Sequence, residues 1–201
     1  MISDPHFRWR LKPLVWMLAL SPLAWLAWLA FNGDLGANPI EFINRYLGDW
    51  AIRMLVLALA VTPVRLLTGW NQILRLRRLL GLFAFFYAML HLSSYVGLDQ
   101  FFDWAEIWKD ILKRNYITVG MIDLLILLAL AVTSTSGMVR RLGGRRWMRL
   151  HQLVYIAGLG SAVHFVMMRK GFQLEPLVYG AIILGLLAVR VVFALKKRTA
   201  R

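Results

Sequence analysis

Apolar residues in this chain fall in long unbroken runs, and the runs are separated by short polar or glycine- and proline-containing stretches. Six runs approach the twenty or so residues that cross a bilayer as a helix: 13–31, 48–67, 79–97, 117–136, 150–168 and 175–193. Breaker signals lie between them, at Asn32-Gly33, Asn38-Pro39, Thr68-Gly69, Gly143-Gly144 and Glu175-Pro176. The pattern predicts an all-α integral membrane protein of six transmembrane helices, in one domain spanning 1–201, with no room for a separate soluble domain.

Composition supports that reading, since 60% of 201 residues are hydrophobic and the mean hydropathy is +0.61, more than one soluble core hides. A net charge of +14 raises nucleic acid as a partner. The basic residues, however, punctuate the apolar runs and form no stripe or RNA-binding motif, so membrane lipid is the expected partner and nucleic acid is not.

Orientation follows from the same residues. The N-terminal Arg8, Arg10 and Lys12, the second connection (Arg65, Arg75, Arg77, Arg78), the fourth (Arg140, Arg141, Arg145, Arg146, Arg149) and the C-terminal Arg190, Lys196, Lys197, Arg198 and Arg201 hold 17 of the 24 cations. The positive-inside rule therefore puts both termini in the cytoplasm. The first run is too long for a cleaved signal peptide and carries Trp16, Trp25, Trp28 and Phe31 as interfacial anchors. The segment from Leu98 to Ile117, with Trp104 and Trp108, reads as an amphipathic stretch on the outer face.

Cysteine is absent, which excludes disulfides, thiolate metal sites, iron–sulfur clusters and covalent haem attachment. Histidine remains as a metal ligand. At 1.5 Å per residue, His91 lies about 18 Å from the cytoplasmic side on the third helix, His164 about 21 Å in on the fifth, and His151 about 2 Å in. Two imidazoles at one depth on neighbouring helices suit the axial positions of a b-type haem held between helices 3 and 5. Ser93, Ser94 and Gly97 near one, and Gly158, Gly160, Ser161 and Ala162 near the other, offer thin spots for a macrocycle. The competing reading is two polar side chains satisfied between helices, where small residues are common anyway.

His151 and His164 are 13 residues apart, about 20 Å of rise and about 140° of rotation, so they cannot share an iron. Two stacked haems would require the fifth helix to bend or its partners to flank it on different sides. Arg77 and Arg78 stand where a partner for His151 would lie. Asp123, the one acid well inside an apolar run, is a proton or quinone site, or pairs with Arg53, or hydrogen-bonds to serines. Arg53 and Arg65 are expected to snorkel to headgroups. Tyr87, Tyr95, Tyr155 and Trp147 are haem-lining candidates that serve as well for packing.

The stretches RRLLGLFAFFYAMLHLSSY (77–95), TSTSGMVRRLGGRRWMRLHQLVY (133–155) and FNGDLGANP (31–39), with His164 following, resemble the MsrQ family, formerly YedZ, in the ferric-reductase-like transmembrane superfamily. The resemblance implies a b-type cytochrome subunit in the bacterial inner membrane. It would pass electrons from the quinone pool or a cytoplasmic flavin reductase to a periplasmic molybdopterin methionine-sulfoxide reductase that repairs oxidised proteins, with no substrate reduction of its own. It implies His91, His151 and His164 as the family's histidines, and haem b and flavin mononucleotide (FMN) as cofactors. The fourth histidine and the C-terminal flavin and nicotinamide domain of the wider superfamily are missing, which leaves a second haem in doubt and calls for an external donor. Arg77, Arg78, Arg145 and Arg146, around Gly143 and Gly144, are the candidates for a flavin phosphate, although positive-inside topology alone would place arginines there. A haem-free transporter or proton channel built on the histidines and Asp123 is the alternative from another class.

Overall fold

The computed structural model describes residues 11–169 and 172–199; Arg8, Arg10 and Arg201 of the basic termini lie outside the described residues. The chain runs as α1 (Lys12–Asn32), α2 (Pro39–Thr68), a 3-10 turn (Asn71–Leu76), α3 (Arg77–Ser94) with a π turn (Tyr95–Asp99), α4 (Trp104–Lys113), α5 (Asn115–Val132), α6 (Ser136–Leu142), α7 (Gly144–His151), α8 (Val154–Met168) and α9 (Leu174–Thr199). Among the described residues six spans are long and apolar enough to cross a membrane: 12–32, 39–68, 71–99, 115–132, 144–168 and 174–196.

Helix contacts close a ring in the order α2, α3, α5, α8, α9 and back to α2, with α2 also reaching α8. α1 lies outside that ring. The Tyr87 hydroxyl donates to its Ala19 carbonyl at 2.7 Å and the Tyr46 hydroxyl to its Pro22 carbonyl at 3.0 Å, while Trp16 meets Phe83 edge to face. The Pro22 ring removes one backbone donor inside α1, and the Ser21 hydroxyl donates to the Leu18 carbonyl left without it. The buried core runs between the helices through Leu55, Leu59, Phe83, Ala84, Tyr87, Ala157 and Ile183, whereas Trp25, Trp28, Leu125, Val163 and Leu184 stay exposed on the outside, the face a bilayer covers.

Two spans differ from their sequence boundaries in ways that matter for the site. α2 begins at Pro39, nine residues before the apolar run, because Asn38 caps the helix: its side chain accepts from the Glu41 N–H at 3.3 Å and donates to the Glu41 carboxylate at 3.0 Å, with Pro39 at the first position. The Asn38-Pro39 breaker is thus a helix start, and the added turns carry Asn44 into the bundle. The fifth span is two helices. α7 ends at His151, and Gln152, Leu153 and Tyr155 bond three residues back, at 3.1, 3.0 and 3.0 Å, before α8 resumes. This break interrupts the helix between His151 and His164, so the rotation expected for an ideal helix does not apply between them.

The segment between Leu98 and Ile117 holds α4. Its N-cap, Asp103, accepts from the Ala105 and Glu106 amides, and its inner face plants Asp110 against the Tyr95 hydroxyl at 2.9 Å and Arg114 at 2.8 Å. Trp104, Trp108 and Leu112, one turn apart, form its exposed stripe. Phe101 and Phe102 enter it with φ of 47° and 62°, a left-handed pair that side chains of this size rarely adopt.

Candidate functional site

His91 of α3 and His164 of α8 come together with ring centroids 6.4 Å apart and planes at 76°. Each ring is held by the same device. His91 Nδ1 donates to the Asn44 carbonyl at 2.9 Å, and His164 Nδ1 donates to the Tyr116 carbonyl at 2.7 Å. A carbonyl only accepts, so in both rings Nδ1 carries the proton and Nε2 keeps its lone pair. That is the tautomer a metal-ligating histidine needs, with its orientation fixed by a hydrogen bond on the other nitrogen.

A glycine stands four residues beyond each accepting carbonyl. A Cβ at Gly48 would lie 3.2 Å from the His91 ring, and one at Gly120 would lie 2.9 Å from the His164 ring. Both carbonyls belong to helices, and only a helix without a side chain at that point lets an imidazole reach them. Glycine inside a helix costs about 1 kcal/mol relative to alanine, and the two close approaches account for it. Asn44 adds a second tie: its side-chain amide donates to the Ser94 hydroxyl at 3.0 Å, which in turn donates to the His91 carbonyl at 2.8 Å.

The donor set fits a haem: His91 and His164 would hold its iron, two imidazoles from different helices with ring centroids 6.4 Å apart and each Nδ1 proton already engaged. The thin spots differ from those read in the sequence. Gly158 meets Leu59 and Ile183, Gly160 meets Asp123, and Gly97 meets Phe102; the gaps beside the histidines lie on the opposite helices, at Gly48 and Gly120. An isolated glycine within an apolar helix was the available signal, but only the fold reveals which ring each one admits.

His151 lies at the other end of the bundle, on a cavity of about 340 Å³ whose lining includes Arg77, Arg78, Gly81, Ser134 and Trp147. Trp147 stacks on the His151 ring at 3.9 Å and donates its indole N–H to the Thr133 carbonyl at 2.9 Å, while His151 Nε2 faces the Thr133 hydroxyl at 3.3 Å. Among the described residues no second imidazole lines this cavity. Of the four arginines proposed for a flavin phosphate, Arg77 and Arg78 line it; Arg145 and Arg146 are exposed on the first turn of α7 and do not. Arg190, which the sequence places only among C-terminal cations, turns inward to donate to the Leu59 carbonyl at 2.5 Å over the Tyr155 ring.

Of the partners weighed for Asp123, Arg53 is corrected and serine is met. Arg53 donates to the Tyr179 hydroxyl at 3.0 Å, stacks on Trp50 and faces Glu175 at 3.8 Å. Asp123 packs against Gly160, with the Ser161 side chain as its hydrogen-bonding neighbour. Tyr87 and Tyr95 serve α1 and α4 through their hydroxyls, and Trp147 alone of the aromatic candidates lines a cavity together with a site histidine.

The ferric reductase like transmembrane component family matches residues 47–162, a span that takes in both gap glycines, His91 and His151 and stops just short of His164. Protein-methionine-sulfoxide reductase heme-binding subunits named MsrQ are similar over nearly the whole chain. The protein of Rhodospirillum rubrum is 56% identical over 184 residues, covering 92% of this chain and 88% of the relative. That of Caulobacter vibrioides is 48% identical over 178 residues, 89% and 85% of the two chains, and that of Herminiimonas arsenicoxydans 47% identical over 192 residues, 94% and 88%.

Proposed function

The chain belongs to the MsrQ family of ferric-reductase-like transmembrane proteins, and from that membership we propose that it is a b-type cytochrome moving electrons across the bacterial inner membrane to a periplasmic methionine-sulfoxide reductase. It is a multi-pass membrane protein. The relatives are named as haem-binding subunits, and the observation that supports the same role here is the matched clamp on His91 and His164, each Nδ1 bonded to a helix carbonyl beside a glycine.

In this reading haem b supplies a one-electron carrier whose redox state changes without bond making. The residues of the chain do the rest. Asn44 and Tyr116 hold the two rings in the ligating tautomer, Gly48 and Gly120 admit them, and the surrounding helices keep water away. With both termini in the cytoplasm, as the distribution of basic residues favours, the histidine pair lies toward the periplasm and the His151 cavity toward the cytoplasm.

Electrons enter at the cytoplasmic cavity, from quinol or from a flavin reductase. Arg77 and Arg78 attract the phosphate of FMN there, while Trp147 and His151 offer flat surfaces to its ring. His151 is read as part of this entry site, and a second haem would need a ligand opposite it. The acceptor is the periplasmic molybdopterin subunit, which docks on the outer loops.

The decisive experiment is an absorption spectrum of protein purified from haem-replete cells. A Soret band with a sharp reduced α band, lost in His91→Ala and in His164→Ala, is the expected result; a colourless, well-folded preparation sinks the proposal.

A further inference from the structure

The buried acid of α5 has no role in the account so far. Asp123 is 6% exposed, and its Oδ2 has no hydrogen-bond partner among the described residues. The carboxyl fills the space a side chain at Gly160 would occupy, and a Cβ there would overlap its oxygens. Its position in the bundle is specific. On α5 it follows Gly120 by three residues, and on α8 its partner Gly160 precedes His164 by four, so the Asp123–Gly160 contact sits about 5 Å deeper in the bundle than the Gly120–His164 contact. One turn further along α5, Leu127 lines the cavity of His151, Arg77 and Arg78. The acid therefore lies between the histidine pair and the cavity.

The other titratable groups on the helices packed against α5 are already engaged. On α3, His91 bonds Asn44, Tyr87 bonds Ala19, and Arg77 and Arg78 line the cavity. On α8, His164 bonds Tyr116 and Tyr155 lies under Arg190; on α4, Asp110 pairs with Arg114 and Tyr95. Asp123 has Ser161 as its polar neighbour, and among the described residues no cation pairs with it. A carboxylate kept out of water without a cation is costly, and a change of one charge nearby weighs heavily in a medium of low dielectric constant.

We propose that Asp123 is the redox-linked proton site of this cytochrome: it binds one proton when one electron arrives at the His91/His164 site and releases it when that electron leaves. The inference rests on the reading that these histidines hold haem. The electron comes from the cytoplasmic donor and the proton from the aqueous phase through the arginine-lined cavity, so reduction adds no net charge to the buried region. Oxidation by the periplasmic acceptor returns the proton. The role is one of positioning charge near the iron; Asp123 is not a ligand and touches no substrate.

The test is an optical redox titration of the full-length haem protein in lipid nanodiscs at several pH values. Wild type is expected to lose potential as pH rises, approaching about 59 mV per tenfold fall in proton concentration, the one-electron equivalent of one proton. Asp123→Asn is expected to keep the haem spectrum and lose the slope. A flat wild-type profile, or an Asn variant with the wild-type slope, overturns the inference. If the Asn variant fails to hold haem, redox-difference infrared spectroscopy of wild type decides: a carboxylic-acid C=O band that appears on reduction and shifts in D2O supports the assignment, and its absence overturns it. A colourless wild-type preparation sinks the haem reading and this inference together, whereas a normal spectrum with a pH-independent potential sinks this inference alone.

Discussion

At one end of the bundle two histidines from different helices converge, each with Nδ1 locked on a backbone carbonyl and Nε2 left basic. At the other a single histidine stacks on Trp147 and faces a hydroxyl, beside a cavity with two arginines. Both ends use the same ionisable residue, yet among the described residues only the first brings two imidazoles together. The second provides positive charge, a flat aromatic face and space. What a histidine does in this protein is set by what its other nitrogen bonds to and by what stands opposite the ring.

The sharpest way to break this contrast is to remove one ring at a time. His91→Ala and His164→Ala should each abolish most of the bound haem, read as pyridine haemochrome per protein, while His151→Ala should retain it. If His151→Ala empties the protein and His91→Ala leaves it loaded, the assignment of the two ends is reversed.

The glycine gaps offer a graded test of the same end. Gly120→Ala puts a Cβ 2.9 Å from the His164 ring, against 3.2 Å for Gly48→Ala and His91. Overpacking of this kind costs about 1–3 kcal/mol, so both should lower haem retention on thermal challenge, Gly120→Ala more than Gly48→Ala. Equal or absent effects would show that the close approach is not what seats the rings.

The cavity end should respond to charge instead. Replacing Arg77 and Arg78 together by alanine is expected to weaken FMN binding at least about tenfold, some 1.4 kcal/mol, while leaving the Soret and α bands in place. Arg145→Ala with Arg146→Ala, exposed on α7 away from the lining, should change FMN binding little. Fluorescence quenching of FMN titrated with each protein separates the two outcomes. A smaller effect belongs to neither end: Tyr87→Phe removes the hydroxyl that ties α1 to the ring of helices and should cost about 1 kcal/mol in denaturant unfolding with haem content unchanged.

The sequence carried the six spans because hydrocarbon thickness imposes a length on apolar runs that needs no tertiary information. It also carried the approach of His91 to His164 at one depth, because helix rise converts residue number into depth. It did not carry rotation about the helix axes. Gly48 and Gly120 are therefore visible only once α2 faces α3 and α5 faces α8, and Arg53 turned to Tyr179 and Glu175 where its position near a helix end suggested headgroups. The early start of α2 was written in Asn38, Pro39 and Glu41, an N-cap and first turn that a search for apolar runs passes over. The break after His151 had no proline or glycine at the kink to announce it.

The most direct test of the central claim is the EPR spectrum of the ferric His151→Ala protein, in which only the paired site remains. Two imidazoles on one iron with planes 76° apart predict a low-spin signal with the strongly anisotropic g-tensor of near-perpendicular axial rings. A high-spin five-coordinate signal, or the loss of haem from this variant, would contradict the account.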